Sequence, residues 1–321
     1  MTVLITGAAG FIGSHLCERL LSEGCAVVGL DNFDEFYSPQ VKRANIAGLI
    51  GSSGFEMIEG DIRDAGCVEG VLAKKGFDII VHLAAKAGVR PSIEDPVGYS
   101  DVNVNGTVVL LEGAKKCGVK KFVFGSSSSV YGDNSKVPFS EDDDAGFPIS
   151  PYGATKKAGE LICRTYSYLY DINVACLRLF TVYGPRQRPD LAIYKFSKLI
   201  EAGKPIPVYG DGSMKRDFTY IDDIVGGIVR AMRRCDGYEI YNLGRSQPVR
   251  LDELISAIEN ALGRKAIINR LPMQPGDVRQ TYADVTKAQT KLSYKPKTKL
   301  PEGLEHFVQW LRTAKQCRIE K

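Results

Sequence analysis

The chain has 321 residues, of which 44% are apolar and 25% are charged, and its formal net charge is +4 at neutral pH. This length suits one large α/β unit or two closely joined domains. The small charge argues against a nucleic-acid or membrane surface as a partner, and the apolar runs are too short to span a bilayer.

The cysteines and the amino terminus are typical of a cytoplasmic protein. Strand-forming residues begin at Thr2 with no basic leader before them, so we expect no signal peptide. The eight cysteines show no CxxC spacing, which is the pattern of reduced thiols rather than of a disulfide framework. Only three histidines are present and no ligand types cluster, so we expect no metal site.

Short β-branched runs alternate with amphipathic helical segments over the first half of the chain. The helical patterns include residues 13–22 and 93–117. The predicted strands are residues 3–5, 26–30, 55–58, 79–82, 122–124 and 174–177. This alternation predicts an α/β fold in which a doubly wound parallel sheet, the Rossmann arrangement, carries helices on both faces.

The alternation becomes irregular after Phe180, where prolines crowd the sequence. It recovers as a helix near residues 221–235 and a strand near 240–243, and short helices interrupted by prolines follow. We therefore predict a Rossmann domain over residues 1–180, to which residues 217–243 return. The remaining segments, 181–216 and 244–321, are predicted to form a smaller, discontinuous substrate lobe.

A glycine-rich turn and two strand-end acids indicate a dinucleotide site. Gly7, Gly10 and Gly13 lie between the first strand and the first helix, where glycine permits close approach to a pyrophosphate and the helix supplies free N–H groups. Asp31 ends the second strand, where a carboxylate can accept both adenosine ribose hydroxyls and repel a 2′-phosphate, so NAD is favoured over NADP. Asp61, at the end of the third strand, suits the adenine amino group. The simpler interpretation of either acid is a turn or capping residue.

The candidate catalytic residues are a tyrosine, a lysine and a serine. Lys156 follows Tyr152 by one helical turn, so both side chains share a helix face. Tyrosine acts as a base only if its pKa falls well below about 10, and the lysine charge favours the phenolate. Ser127, within a run of four serines, can complete a proton relay. A Tyr-x-x-x-Lys pair alone is an ordinary helical pair, but with the glycine turn it indicates oxidation of an alcohol carbon.

At this point the sequence resembles the extended short-chain dehydrogenase/reductases, and among them the nucleotide-sugar epimerases and dehydratases. The motifs at residues 82–85, 103–107, 125–132, 150–156 and 216–223 carry the resemblance, which covers essentially the whole chain. It implies NAD as cofactor, a UDP-sugar as substrate, and a homodimer formed through helices near residues 101–117 and 152–170. By position, Ser127 matches the catalytic serine or threonine, Tyr152 the base and Lys156 its partner.

The resemblance also implies a set of cofactor contacts. Lys86 departs from the family pattern, because related epimerases carry glutamine at this position. The cofactor contacts of the family therefore carry over less directly to the loop that contains Lys86. The expected contacts come from Gly7, Gly10, Phe11, Ile12, Gly13, Asp31, Asn32, Asp61, Ile62, Leu83, Ala84, Ala85, Lys86, Asn103, Tyr152 and Lys156.

Two features of the sequence narrow the reaction. Dehydratases of this family carry Asp-Glu just before Val-Tyr-Gly, and UDP-glucuronate decarboxylases carry glutamate, but this chain has Ser128 and Ser129. Without that extra acid/base group, simple C4 epimerisation is favoured. The segment 179–192 resembles the signature of UDP-glucuronate 4-epimerases, whereas UDP-galactose epimerases usually have asparagine where Thr181 stands.

A carboxylate on the sugar explains why these side chains matter. Oxidation of glucuronate at C4 gives a β-keto acid, which loses CO2 when the C5–carboxylate bond aligns with the carbonyl π system. We expect Arg188, with the hydroxyls of Thr181, Ser127 and Ser128, to hold the carboxylate out of that alignment. The expected substrate contacts are Gly88, Val89, Arg90, Ser127, Ser128, Ser129, Thr181, Arg188, Arg216, Asp277 and Arg279.

The expected reaction converts UDP-glucuronate to UDP-galacturonate through a transient 4-keto sugar. Tyr152, assisted by Ser127, takes the C4 hydroxyl proton, and the keto sugar then turns to present its other face. Two alternatives stay open. A 4-epimerase of neutral or N-acetylated UDP-hexoses would be indifferent to loss of Arg188. A non-catalytic NAD-sensing protein of the same fold would have no need of the Tyr152 and Lys156 pair.

Overall fold

A computed structural model describes residues 1–273 and 278–319. In chain order the strands are β1 (Thr2–Thr6), β2 (Ala26–Asp31), β3 (Phe55–Glu59), β4 (Ile79–His82), β5 (Lys121–Ser127), β6 (Asn173–Leu179), β7 (Thr181–Tyr183), β8 (Ile206–Tyr209), β9 (Lys215–Tyr220), β10 (Tyr238–Leu243), β11 (Pro248–Arg250), β12 (Ile268–Leu271) and β13 (Gln280–Thr281).

The helices lie between these strands and after the last of them. They are α1 (Phe11–Ser22), α2 (Pro39–Ile46), α3 (Ala65–Lys74), α4 (Val89–Glu94), α5 (Pro96–Ser100), α6 (Gly106–Lys116), α7 (Pro151–Tyr170), α8 (Ala192–Glu201), α9 (Ile221–Arg233), α10 (Leu251–Leu262), α11 (Thr286–Leu292) and α12 (Leu300–Ile319). A π-helical turn (Asp101–Asn105) precedes α6, and a 3-10 turn (Ser128–Tyr131) follows β5.

The large sheet has seven strands in the order β10-β6-β5-β4-β1-β2-β3, and every neighbouring pair is parallel. The predicted doubly wound α/β fold is therefore confirmed. In this order the chain winds outward in one direction from β1 and in the other from β4. Such a reversal opens a crevice at the carboxyl ends of the central strands, which is where ligands bind in this architecture.

The side chains of β1 enter two hydrophobic cores, because successive strand residues point to opposite faces of a sheet. Val3 and Ile5 pack with residues of α1 and α9, whereas Leu4 packs with residues of α3 and α6. All three side chains are fully buried. Each face of the sheet is thus covered by helices, and the carboxyl-terminal edge of the sheet is left for function.

The predicted amphipathic segment at residues 93–117 is not one helix. Helix α4 ends at Glu94, immediately before Asp95 and Pro96, because proline lacks an N–H group and its ring clashes with the preceding turn. The Asp95 carboxylate accepts a hydrogen bond from the Gly98 amide at 2.9 Å and caps α5. The resulting short elements α4 and α5 both pack against α7.

The chain beyond β6 is more regular than predicted. Strands β11, β9 and β13, with β7 paired to β9, form a small sheet, and β8 pairs with β12. The chain returns to the large sheet through α9 and β10. Helix α12 covers 20 residues, which is longer than the short helices predicted there. Pro301 lies in its first turn, where a missing N–H removes no helix bond. Within residues 1–273 and 278–319, no helix is both long and apolar enough to cross a membrane.

Candidate active site

A cavity of about 470 Å3 opens at the carboxyl ends of β1, β2, β4 and β5. Fifteen of the sixteen predicted cofactor residues line it, from the glycine turn to Lys156. The exception is Asn103. Predicted substrate residues also line this cavity, namely Gly88, Val89, Ser127, Ser128, Ser129, Thr181 and Arg188. The fold therefore brings fifteen cofactor residues and seven of the eleven predicted substrate residues to one place, and their individual roles stay predictions.

The connection from β1 into α1 needs glycine at two positions where the backbone packs closely on itself. Gly7 has φ +70°, and a Cβ there would lie 2.7 Å from the Ala84 amide nitrogen. A Cβ on Gly13 would lie 2.1 Å from the Gly7 carbonyl oxygen. Gly10 caps α1 with no side-chain hydrogen bond, so the first N–H groups of the helix are left for an anion. The residues present therefore fit a dinucleotide.

The two strand-end acids lie in different surroundings. Asp31 is buried and accepts hydrogen bonds from the Ala9 amide at 3.0 Å and the Phe33 amide at 2.9 Å. Burial raises the pKa of Asp31, and these two donors and the nearby Lys42 charge oppose that rise. Asp61 instead accepts hydrogen bonds from the Arg63 guanidinium. These bonds lower the pKa of the Asp61 carboxyl to about 2.

One predicted cofactor residue has a structural task. The Asn103 side-chain oxygen accepts a hydrogen bond from the Lys86 amide at 2.8 Å, and its nitrogen donates to the Lys86 carbonyl at 2.9 Å. The same nitrogen lies 3.0 Å from the Thr155 hydroxyl on α7. Asn103 therefore fixes the loop after β4 against the helix of Tyr152. The Lys86 side chain pairs with Asp95 at 2.7 Å at the rim of the cavity.

The candidate catalytic residues meet where α7 passes the end of β5. The Ser150 hydroxyl caps α7 by accepting a hydrogen bond from the Gly153 amide at 3.1 Å, which sets the start of the helix just before Tyr152. The Lys156 ammonium donates to the Gly125 carbonyl at 2.7 Å. Burial lowers the pKa of Lys156 to about 8.

The surroundings of Tyr152 act on its pKa in opposite directions. Burial raises the pKa of the phenol, while a hydrogen bond with Ser127 and the charge of Arg188 lower it. The Ser127 hydroxyl and the Arg188 charge therefore act on the phenol in the direction that was predicted for the lysine. The Ser127 hydroxyl also accepts from the Ser129 amide at 3.2 Å, so its position is fixed by the 3-10 turn that follows β5.

Arg188 enters the cavity from the loop that follows β7. Its guanidinium donates to both carboxylate oxygens of Asp190, at 3.0 and 2.8 Å, and lies 3.4 Å from the Ala87 carbonyl. The ring of Phe36 lies 5.4 Å from the guanidinium carbon. The side chain is 17% exposed, so Arg188 is largely shielded from solvent. Its orientation suits an anion in the cavity.

A second cavity of about 350 Å3 adjoins the first, and Thr181 and Leu191 line both. Arg90 and Arg216 line it as well, with the Arg90 guanidinium 4.5 Å from the ring centre of Tyr209. Arg279 is exposed and lines neither cavity. Asp277 lies outside the described residues.

Some cavity residues were not predicted as site residues from the sequence. Lys42 and Tyr37 line the first cavity beside Asp31, and Tyr209, Phe218 and Leu254 line the second. The segment that directly follows Asp31 is a signal for the first pair, since loops after strand ends line such crevices. No local pattern marks the others. Among the described residues no cluster of histidine, cysteine and acidic side chains forms a metal site.

Comparisons with known proteins agree with this geometry. Residues 3–244 match the model of the NAD-dependent epimerase/dehydratase family. The chain is 42% identical to the UDP-glucuronate 4-epimerase of Thermodesulfobacterium geofontis, over 96% of this chain and 95% of that protein. It is 45% identical to UDP-glucuronate 4-epimerase 5 of Arabidopsis thaliana, over 97% of this chain and 75% of that protein. The UDP-glucuronic acid 4-epimerase of Bacillus cereus, solved in complex with UDP-glucuronic acid and NAD, superposes with a TM-score of 0.93 at 40% identity, covering 98% of this chain and all of the other.

Proposed function

This chain belongs to the NAD-dependent epimerase/dehydratase family, and we propose that it interconverts UDP-glucuronate and UDP-galacturonate by epimerisation at C4. When bound, NAD supplies the acceptor and the donor of the C4 hydride. The observation that carries the proposal is that Tyr152, Ser127 and Arg188 line the same cavity as the dinucleotide turn. One cavity therefore contains a base that can deprotonate an alcohol, a site for the cofactor and a cation that can bind a carboxylate.

We propose that Tyr152 takes the proton of the C4 hydroxyl. The Ser127 hydroxyl is hydrogen-bonded to the phenol of Tyr152 and also binds the C4 oxygen of the substrate. It thereby aligns this oxygen with the phenol for proton transfer. Lys156 is mostly protonated at neutral pH, because its pKa of about 8 lies above it, and it adds positive charge behind the phenolate. After the sugar has turned, return of the hydride to the opposite face of C4 inverts the centre, and Tyr152 returns the proton to the C4 oxygen.

We propose that the carboxylate is held by Arg188 together with the hydroxyls of Ser127, Ser128 and Thr181. A guanidinium already oriented by Asp190 loses little freedom when it binds a second anion. Holding the carboxylate keeps the C5–carboxylate bond out of line with the C4 carbonyl. The 4-keto sugar then keeps its carboxylate.

We propose that the nucleotide lies in the second cavity. Most of its wall comes from the lobe of residues 181–216 and 244–321, and the NAD-binding part, residues 1–180 with 217–243, contributes Arg90 and Phe218. Phe218 and Leu254 offer apolar surface to a base, and Arg90 and Arg216 offer charge to a diphosphate. We assign neither Arg279 nor Asp277 a contact. Firm binding of UDP away from C4 leaves the sugar free to turn.

We further propose that the protein works as a cytoplasmic homodimer. Helix α7 exposes large apolar side chains, with Leu161 at 56%, Tyr168 at 89% and Leu169 at 57%. A second copy of the chain would cover them. The described cysteines are free thiols, as in a reducing compartment. Replacing Leu161 and Leu169 together by glutamate should convert a dimer to a monomer in analytical ultracentrifugation, and a wild-type monomer would overturn the proposal.

The proposed function is tested by following UDP-glucuronate with the purified protein by NMR, without added reductant. We expect UDP-galacturonate with no UDP-pentose and no CO2. A matched variant, Arg188→Lys, keeps the charge but loses the two-pronged geometry, and should turn over UDP-glucose as the wild type does while losing at least about tenfold in kcat/KM for the acid. Faster turnover of UDP-glucose than of the acid by the wild type would favour the neutral-hexose alternative.

A further inference from the structure

The residue two positions before Arg188 has an unusual backbone. Arg186 has φ +62°, in the left-handed region that a residue with a Cβ rarely adopts. Gly184, at the start of the same loop, has φ +145°. A non-glycine residue keeps such a conformation only when surrounding contacts hold it there, and residues of this kind concentrate at functional sites.

The side chain of Arg186 supplies those contacts. Its guanidinium pairs with both carboxylate oxygens of Glu18 on α1, at 2.9 and 2.5 Å. It also donates to the Asn45 carbonyl at the end of α2, at 3.0 Å. Only 15% of the side chain is exposed, so this pairing is better shielded from solvent than an ordinary surface salt bridge.

These contacts continue to the dinucleotide turn. The Asn45 side-chain nitrogen donates to the Ala9 carbonyl at 3.0 Å, and the Ala9 amide donates to Asp31 at 3.0 Å. A chain of hydrogen bonds therefore runs from Arg186 through α2 to the turn between β1 and α1. The loop after β7 is thus anchored to the part of the protein that also shapes the cofactor site.

We propose that Arg186 is a positioning residue that fixes this loop so that Arg188 stays aligned with the substrate carboxylate. Arg186 itself does not touch the substrate cavity, whereas Arg188 does. The two arginines have opposite directions along one short segment, one toward α1 and α2 and the other into the cavity. Because this proposal rests on the proposed function, its test needs a readout that does not depend on turnover.

Loss of the anchor has a defined chemical consequence. In the 4-keto sugar, the bond from C5 to the carboxylate carbon breaks when it aligns with the carbonyl. Its electron pair passes into the C4 carbonyl as an enolate, CO2 leaves, and C5 then takes a proton from solvent. The UDP-4-keto-pentose formed in this way becomes UDP-pentose when the hydride that was removed from C4 is returned. A loosened Arg188 permits the alignment more often, so the product mixture gains UDP-pentose at the expense of UDP-galacturonate.

The primary experiment measures the fraction of turnovers that end as UDP-pentose. The wild type is expected to form no UDP-pentose, whereas Arg186→Ala should form it in at least about one turnover in ten, because small misplacements of an orienting group have large kinetic effects. Arg186→Lys should return this fraction most of the way to the wild-type value. Arg19→Ala is the matched control, because it removes another salt bridge of α1, that with Glu23, and should leave the fraction unchanged. A wild-type fraction in folded Arg186→Ala would overturn the proposal.

A second experiment needs no turnover. Hydrogen exchange of the backbone amides in residues 184–191 should be about tenfold faster in Arg186→Ala than in the wild type, and unchanged in Arg19→Ala. If Arg186→Ala does not fold, Glu18→Gln removes the charge of the partner and should give a smaller acceleration in the same segment. Unchanged exchange in a folded variant would contradict the positioning role. Failure of the wild type to convert UDP-glucuronate would contradict the proposed function alone.

Discussion

The charge on Lys156 opposes folding, and this effect can be measured without cofactor or substrate. Lys156 is 4% exposed as a whole residue, and burial lowers its pKa from 10.5 to about 8. Because each pKa unit corresponds to about 1.4 kcal/mol, the protonated lysine disfavours the folded state by about 3 kcal/mol at pH 7. Lys156→Met removes this penalty together with the hydrogen bond to Gly125, which contributes roughly 1 kcal/mol.

The pH dependence separates the two contributions. Because the folded-state pKa of Lys156 is lowered, the unfolded chain binds more protons between pH 8 and 10.5, and wild-type stability from this group rises with pH through that window. The advantage of Lys156→Met in the free energy of unfolding should therefore be largest at pH 7. This advantage should be smaller by about 1.5 kcal/mol at pH 9 than at pH 7. The loss of the hydrogen bond to Gly125 lowers the advantage equally at the two pH values.

The assay is urea unfolding at pH 7, 8 and 9 in the absence of NAD and nucleotide sugars. Lys157→Met is the matched control, because the neighbouring lysine is on the same helix but its side chain is 25% exposed. For this control, the difference in the free energy of unfolding from the wild type should change much less between pH 7 and pH 9. An advantage of Lys156→Met that is the same at pH 7 and pH 9 would refute the argument that burial perturbs this lysine.

Three further predictions follow from the site. Tyr152→Phe should lower kcat by about a hundredfold to ten-thousandfold, because the base is lost, while calorimetry should find NAD affinity changed by less than about threefold; retained turnover would exclude Tyr152 as the base. Asp31→Asn should weaken NAD binding by about tenfold or more and reduce discrimination against NADP, and unchanged titration curves for both cofactors would contradict that role. Glu160→Gln leaves Arg178, 1% exposed, without its buried counter-charge and should destabilise the protein by about 3–5 kcal/mol in urea, so a loss below about 1 kcal/mol would count against the pairing.

The parts of the structure that depend on local pattern could be predicted from the sequence. Short β-branched runs indicated the strands of the large sheet, and the glycines of the turn indicated a close backbone approach that the structure contains at Gly7 and Gly13. The doubly wound arrangement followed from the general behaviour of parallel α/β chains, whereas the order of the strands was not predicted.

Contacts between distant segments could not be predicted in the same way. The buried pair of Arg178 and Glu160 joins β6 to α7, and nothing in either segment indicates its partner. The local sequence around Arg186 is that of an ordinary loop arginine. Its left-handed backbone and its hydrogen bond to Asn45 depend on α1 and α2, which are distant in sequence, so no local pattern indicates them. Lys42 likewise has the sequence context of a surface lysine, although it is buried beside Asp31.

The central claim, that one site removes and returns the hydride at C4, is tested most directly with UDP-glucuronate that carries deuterium at C4. The purified protein is given this substrate in ordinary water with no added reductant, and the product is examined by NMR and mass spectrometry. The account predicts UDP-galacturonate that retains the deuterium at C4. Epimerised product with hydrogen at C4, drawn from solvent, would contradict it.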